Sequence, residues 1–314
     1  MDTVQQACDL LQRGEVVVFP TESVYGLAAD STNDLAIASI YSIKGRPTFN
    51  PLIAHVSGLA KARRIGVFND VAVKLAEAFW APGTSHHRPL TIIVKMNSDA
   101  GISALSVAGL STIGIRVPNH EITNALLDVY PNPLSAPSAN ITQQISATNA
   151  GIIRETLGNK VPLIIDGGQC CVGLESTIID LSAPEGDAAI LRYGGTSAEE
   201  IGEVIGYMPK HTAITDVIKA PGMAKRHYAT RLPLKINQIE PRAGAAYLGF
   251  CEYDYGEYNL SKCGDLNEAA ANLFKMLFEL DNPLKYSEIR VAPVPARGIG
   301  LAINDRLERA SALA

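Results

Sequence analysis

Four short segments concentrate hydroxyl, amide and cationic side chains at the ends of apolar runs. PTESVYG over 20–26 follows directly on an apolar run, and KGRPTFNPLIAH over 44–55 carries Lys44, Arg46, Asn50 and His55. SAPSAN over 135–140 places Ser138 and Asn140 beside a proline, and GLEST over 173–177 leads Ser176 into another apolar run. Arg116 lies on an otherwise apolar stretch, and a buried guanidinium must be matched by a carboxylate or a phosphate. Each feature has a plainer reading. Lys44 ends a helix, where the dipole favours a cation; SAPSAN is good turn chemistry; Ser176 and Thr177 suit a strand. Taken together, the five read as one site.

The elements needed to position them are legible from periodicity and punctuation. The pattern predicts strands over 16–19, 52–56, 91–96, 112–117, 163–165, 177–181 and 190–192. It predicts helices over 33–44, with Asn33 as cap and Gly45 and Pro47 as stop, and over 69–80 and 120–130. SAEE over 197–200 is a capping box that opens a helix through 204. Residues 207–238 break this rhythm with prolines, a Pro-Gly pair and a basic cluster, and they read as a linker. Strand, helix, strand, helix then follow over 245–252, 266–280, 289–294 and 300–312, the signature of a small parallel α/β module. The expected organisation is a domain over 1–206, a linker over 207–238 and a domain over 239–314.

Composition bounds the function. The 314 residues are 47% hydrophobic and 19% charged, enough apolar matter for large cores and too little charge for disorder. With 27 Lys and Arg against 32 Asp and Glu, the net charge of −5 provides no global field for nucleic acid or anionic lipid. Any phosphate must be met by a local cluster of cations. Cys8, Cys170, Cys171, Cys251 and Cys263 have no Cys-x-x-Cys spacing, so neither a zinc knuckle nor a disulfide framework is expected. The amino terminus lacks the basic start and apolar run of a signal peptide, and no apolar stretch approaches the ~20 residues of a membrane span. A cytoplasmic protein without membrane contact is the expectation. The P-loop, the dinucleotide fingerprint, H-E-x-x-H and G-x-S-x-G are all missing from the sequence.

PTESVYGL, KGRPTFNPLIAH, IGIRVP, APSAN, DGGQCCVGLESTIIDL and ILRYGG occur in the order and near the spacing of the YrdC-like threonylcarbamoyl-AMP synthases. PGMAKRHYAT and the βαβα tail resemble the linker and carboxy-terminal domain of that family's long form. The resemblance implies an α/β fold, in part α+β-like, whose twisted mixed sheet forms a concave cavity, followed by a small Rossmann-like domain. It implies a nucleotidyltransferase that carboxylates the threonine amino group with bicarbonate and lets the carbamate attack the α-phosphate of ATP. The products would be threonylcarbamoyl-AMP and pyrophosphate. Mg2+ would arrive with ATP, and no organic cofactor is implied. A separate transferase complex would receive the product and modify adenosine 37 of tRNA, with at most weak tRNA contact by this chain.

Carried over by motif, Lys44 and Arg46 would be catalytic and would bind the phosphates. Asn50, Thr112, Ser138, Asn140, Ser146, Arg192 and Tyr228 would complete the ATP site. Ser23, His55, Arg116 and Ser176 would hold threonine, Arg116 through the carboxylate. Tyr228 would reach back over the nucleotide, making the linker a lid. Two departures stand out: Ser23 replaces the family's usual Thr, and the compact W-P-G-P-L-T becomes a longer WAPGTSHHRPLT over 80–91. In that loop His86 and His87 are adjacent and point apart on extended backbone, so a solvated loop is expected rather than a metal site. The alternatives are a carbamoyl-adenylate-forming enzyme and a non-catalytic RNA-binding YrdC-like module. The former has acylphosphatase and zinc-finger segments that this chain lacks, and the charge of −5 opposes the latter.

Overall fold

The apolar runs form two sheets in the computed structural model, which describes residues 3–81, 88–183, 188–212 and 227–312. The larger sheet is mixed and ten-stranded, and its spatial order begins Val17–Phe19, Gly26–Asp30, Leu134–Ser135, Ile53–His55 and Thr112–Arg116. It continues through Leu90–Met96, Thr177–Asp180, Ala189–Arg192 and Lys210–His211, with Gly66–Val67 paired separately to Leu90–Met96. Register sets the site. His55 lies opposite Arg116, Arg116 opposite Thr91, Thr91 opposite Ile178, and Ile178 opposite Arg192. A single cross-strand row therefore carries one histidine and two arginines of the expected site.

Local chemistry fixes the helices. Asp34–Lys44 starts at Asn33, whose side chain accepts from the Leu35 and Ala36 amides, and it stops at Gly45 in the left-handed region (φ 60°). Asp70–Phe79 is capped by Asn69, and Ala198–Ile205 by the full Ser197/Glu200 capping box. The sequence reading did not anticipate the Gly26–Asp30 strand or the helices Leu59–Ile65 and Ala150–Thr156. The strand expected over 163–165 is reduced to one bridge between Val18 and Ile164. Pro20, which has no N–H to donate, closes the partner run.

The second sheet is four-stranded and wholly parallel, ordered Leu234–Lys235, Ile289–Val291, Ala246–Gly249, Tyr258–Asn259. Helices Leu266–Leu280 and Gly300–Ser311 complete the expected βαβα module. The stretch read as linker contributes a strand to each sheet, Lys210–His211 to the first and Leu234–Lys235 to the second. Pro221, Gly222, Met223, Lys225 and Arg226 lie outside the described residues, as do His86 and His87.

The two units meet through apolar packing that continues from Val24, Ile145 and Leu174 of the first into Leu273, Phe274 and Leu277 of the second. Gly173 makes this approach possible. Its φ is 71°, and a Cβ there would lie 2.6 Å from Ala271 Cα and 2.7 Å from Ala270 O. Among the described residues no helix is long and apolar enough to cross a membrane.

Candidate active site

The cross-strand row opens into a small cavity of about 50 Å³ between the sheet end, the GLEST loop and the segment at 227–228. Arg46, His55, Arg116, Ser138, Ser176, Arg192 and Tyr228 line it, so seven of the thirteen expected site residues converge there.

Two of these cations, Arg46 and Arg192, are joined by Lys44, which stands behind Ser138. Lys44 is buried at the end of its helix, but it does not serve its own helix terminus; its Nζ donates to Ser138 O at 2.6 Å and to Asn140 O. Burial, and then the neighbouring Arg46 charge, hold Lys44 well below its ordinary range. Arg46 donates to the Asn50 and Pro51 carbonyls and is pushed down to about 10 by burial, with Arg192 adding to the effect. Arg192 donates to Ser176 O and is likewise pushed down to about 10, first by burial. Neither Lys44 nor Arg46 forms an ion pair among the described residues. Two buried cations, Lys44 and Arg46, that among the described residues meet carbonyls rather than carboxylates, with Arg192 beside them, make a cradle suited to an anion.

Arg116 is organised differently. Its Nη2 donates to Glu22 Oε1 at 2.6 Å, and Glu22 Oε2 accepts from the Asn119 amide. Burial would raise the Glu22 pKa; the Arg116 charge and hydrogen bond reverse it, so the carboxyl stays ionised. Arg116 Nε is buried and has no hydrogen-bond partner among the described residues. An unsatisfied guanidinium edge in a cavity wall is suited to a ligand carboxylate.

The remaining expected residues fall into two groups. Ser23, Asn50, Asn140 and Ser146 stand behind the lining. Ser23 Oγ bonds Thr21 Oγ1 at 2.9 Å, and Thr21 is the one that lines the cavity. Asn140 spends its amide protons on Ile141 O and Gln144 O, while the Oδ1 atoms of Asn50 and Asn140 are buried without partners among the described residues. Ser146 donates to Glu175 Oε1 at 2.7 Å, and Ser176 bonds Thr91 Oγ1 at 2.7 Å. Thr112 is placed elsewhere: it opens the strand that Arg116 ends, opposite Lys95, about 13 Å away at the strand rise.

Four residues went unread in the sequence. Glu22 and Glu175 sit inside motifs whose hydroxyls drew attention, and His227 in a basic cluster. Arg306 was signalled by a charge within the buried stripe of its helix. Tyr228 is 1% exposed, with its ring 5.2 Å from Phe274 and Arg306 5.6 Å above it. On the loop from 80 to 91, Arg88 pairs with Glu200 at 3.1 Å, away from the cavity lining.

Two histidines, His55 buried and His227 half-buried, give the cavity an expected acid sensitivity. His55 is pushed down to about 3 by burial and then Arg116. His227 is pushed down to about 3 by burial, with Lys44, Arg192 and Arg46 outweighing the pull of Glu175. Since the folded values lie below the ordinary one, the unfolded chain takes up protons first as pH falls. The stability is present above about pH 6.5 and is lost progressively toward pH 3. Each histidine is expected to cost about 2 kcal/mol between pH 7 and pH 5. Denaturant unfolding at the two pH values measures it, and His55→Gln should remove one share; an unaltered difference contradicts a neutral buried His55.

Residues 9–194 match the Sua5, YciO and YrdC family described as telomere recombination. Residues 196–312 match the family described as threonylcarbamoyl-AMP synthase, C-terminal domain. The threonylcarbamoyl-AMP synthase of Pyrococcus abyssi is 35% identical over 331 residues, covering 98% of this chain and 94% of that one. The Bacillus subtilis threonylcarbamoyl-AMP synthase is also 35% identical, covering 98% and 92%. The crystal structure of the P. abyssi Sua5 protein complexed with L-threonine aligns with a TM-score of 0.87 at 34% identity, over 98% of this chain and 94% of that chain. With its larger mixed sheet, its parallel second sheet and its buried cation cradle, the chain belongs to the Sua5 family of threonylcarbamoyl-AMP synthases.

Proposed function

We propose that this chain is a cytoplasmic nucleotidyltransferase that makes threonylcarbamoyl-AMP from L-threonine, bicarbonate and ATP, for transfer to adenosine 37 of tRNA by a separate complex. The observation that carries the reading is the convergence of Arg46 and Arg192 on one cavity, with Lys44 buried behind its Ser138 wall and the unsatisfied Nε of Arg116 in the same lining. The threonine nitrogen first takes up bicarbonate carbon with loss of water. A carbamate oxygen then bonds to the α-phosphorus while the bond from that phosphorus to the bridging oxygen breaks, and pyrophosphate leaves. Lys44, Arg46 and Arg192 stabilise the charge that develops on the leaving group. Arg116 holds the threonine carboxylate, and the Thr21 and Ser176 hydroxyls, Thr21 backed by Ser23, face the side chain, where hydrogen bonds discriminate better than apolar contacts.

Mg2+ would enter on the triphosphate and screen it. Among the described residues no three His, Cys, Asp or Glu side chains stand together to hold a metal, and the cavity's Glu175 is already engaged by Ser146 and Arg306. Labelled bicarbonate tests the reaction: its carbon should enter an adenylate product only when L-threonine is present.

Ligand sites of this kind occupy about 300–1,000 Å³, so a cavity of about 50 Å³ must open to admit ATP, and His227 and Tyr228 are the lining residues that come from the stretch read as linker. Tyr228, held by Phe274 and Arg306, is then the closing element that excludes water from a labile mixed anhydride. Tyr228→Ala should raise the fraction of product lost to hydrolysis, measured as free threonine and AMP per pyrophosphate released. Hydrogen exchange at 227–230 should differ with and without ATP and threonine; identical protection and identical hydrolysis contradict a lid.

A further inference from the structure

Arg306 occupies a place normally filled by an apolar side chain. It shares the buried stripe of Gly300–Ser311 with Ala302, Ile303, Leu307 and Ala310, and it is wholly inaccessible. From this last helix the guanidinium crosses into the wall of the first unit. Nε and Nη2 donate to Glu175 Oε2 at 3.2 and 3.1 Å, and Nη1 donates to Tyr193 O at 2.6 Å and to Asp305 Oδ2 at 2.9 Å. Glu175 Oε1 accepts from Ser146. Glu175 and Tyr228 line the cavity and Arg306 does not, so it acts on any ligand through them.

We propose that Arg306 is a positioning residue of the phosphate subsite: by engaging Glu175 from behind, it keeps that carboxylate from claiming the cations meant for the triphosphate. The C-terminal unit thereby completes the catalytic cavity. This rests on reading the cavity as the ATP site.

A carboxylate facing a polyanion is a liability unless its charge is met elsewhere. Burial would raise the Glu175 pKa, but Arg306 and then Arg192 reverse this and hold it at about 2, so Glu175 is ionised at neutral pH. Its field already reaches Lys44 and Arg192. Arg306 supplies a two-pronged partner outside the ligand space. Without it, the remaining counter-charges for Glu175 are the cations of the cradle itself, and each one it engages is subtracted from the triphosphate. A merely structural tie between the units would lower resistance to unfolding while leaving the ligand affinities of the folded protein alone.

Calorimetric titration of the full chain with ATP and, separately, with L-threonine tests this on Arg306→Met, Arg306→Lys and the double variant Arg306→Met with Glu175→Gln. Arg306→Met should weaken ATP binding about 10–100-fold and leave threonine affinity within about threefold; the double variant, lacking both charges, should recover ATP binding to within about threefold of wild type. Arg306→Lys keeps the charge without the fork and should lose about 3–10-fold, which preserves the test if Arg306→Met does not fold. Undiminished ATP affinity in the Arg306 variants, or no recovery in a folded double variant, overturns the proposal. Lys44→Ala run alongside separates its failure from that of the site reading. Loss in Lys44→Ala with undiminished binding in the Arg306 variants refutes the role of Arg306 alone. Undiminished ATP binding in all of them refutes the phosphate subsite, and the proposal with it.

Discussion

Lys44→Ala and Arg46→Ala are each expected to reduce turnover about 100–1000-fold, corresponding to about 3–4 kcal/mol for one donor aimed at a triphosphate whose leaving group gains charge in the transition state. The geometry explains why neither can stand in for the other. Lys44 is reached from a helix end and tied to the Ser138 and Asn140 carbonyls, whereas Arg46 follows the left-handed Gly45 and is tied to the Asn50 and Pro51 carbonyls. Steady-state pyrophosphate release with folding checked by circular dichroism measures the effect. Near wild-type turnover in both variants would remove the 44–55 segment from the chemistry.

Arg116→Ala should act on the other substrate. Threonine affinity is expected to fall roughly 100-fold, about 3 kcal/mol, while ATP affinity is largely retained. The same substitution strands Glu22, buried with only the Asn119 amide left to it, and should cost about 3–5 kcal/mol of folding stability. Arg116→Lys should rescue little, because a point charge cannot keep both the Glu22 contact and the unsatisfied Nε edge. Calorimetry and chemical denaturation read the two effects separately. ATP binding lost with threonine binding intact would mean that the two subsites are reversed.

Helix ends were legible because the cap is a neighbour in sequence: Asn33, Asn69 and Ser197 with Glu200 all cap as their residue types require. The strand at Gly26–Asp30 was not, because GLAAD carries no β-branched or alternating pattern, and tertiary pairing with Val17–Phe19 and Leu134–Ser135 makes it a strand. The same division runs through the site. Polar residues at the ends of apolar runs marked Arg46, Arg116, Ser138 and Ser176, since a sheet gathers its strand ends. The partners of those residues were hidden, because Glu22 and Arg116 are 94 positions apart and Glu175 and Arg306 are 131 apart. Thr112 shows the opposite limit: it shares a strand with Arg116, but a strand's length separates its two ends.

The central claim is that threonine is the obligatory acceptor of bicarbonate carbon in an ATP-cleaving reaction, and pyrophosphate release tests it most directly. With ATP and bicarbonate present, adding L-threonine should switch pyrophosphate release on, and omitting either threonine or bicarbonate should return it to background. Release that proceeds equally without threonine would contradict the account in favour of a carbamoyl-adenylate-forming enzyme. No release under any combination, together with salt-dependent tRNA binding, would contradict it in favour of a non-catalytic RNA-binding module.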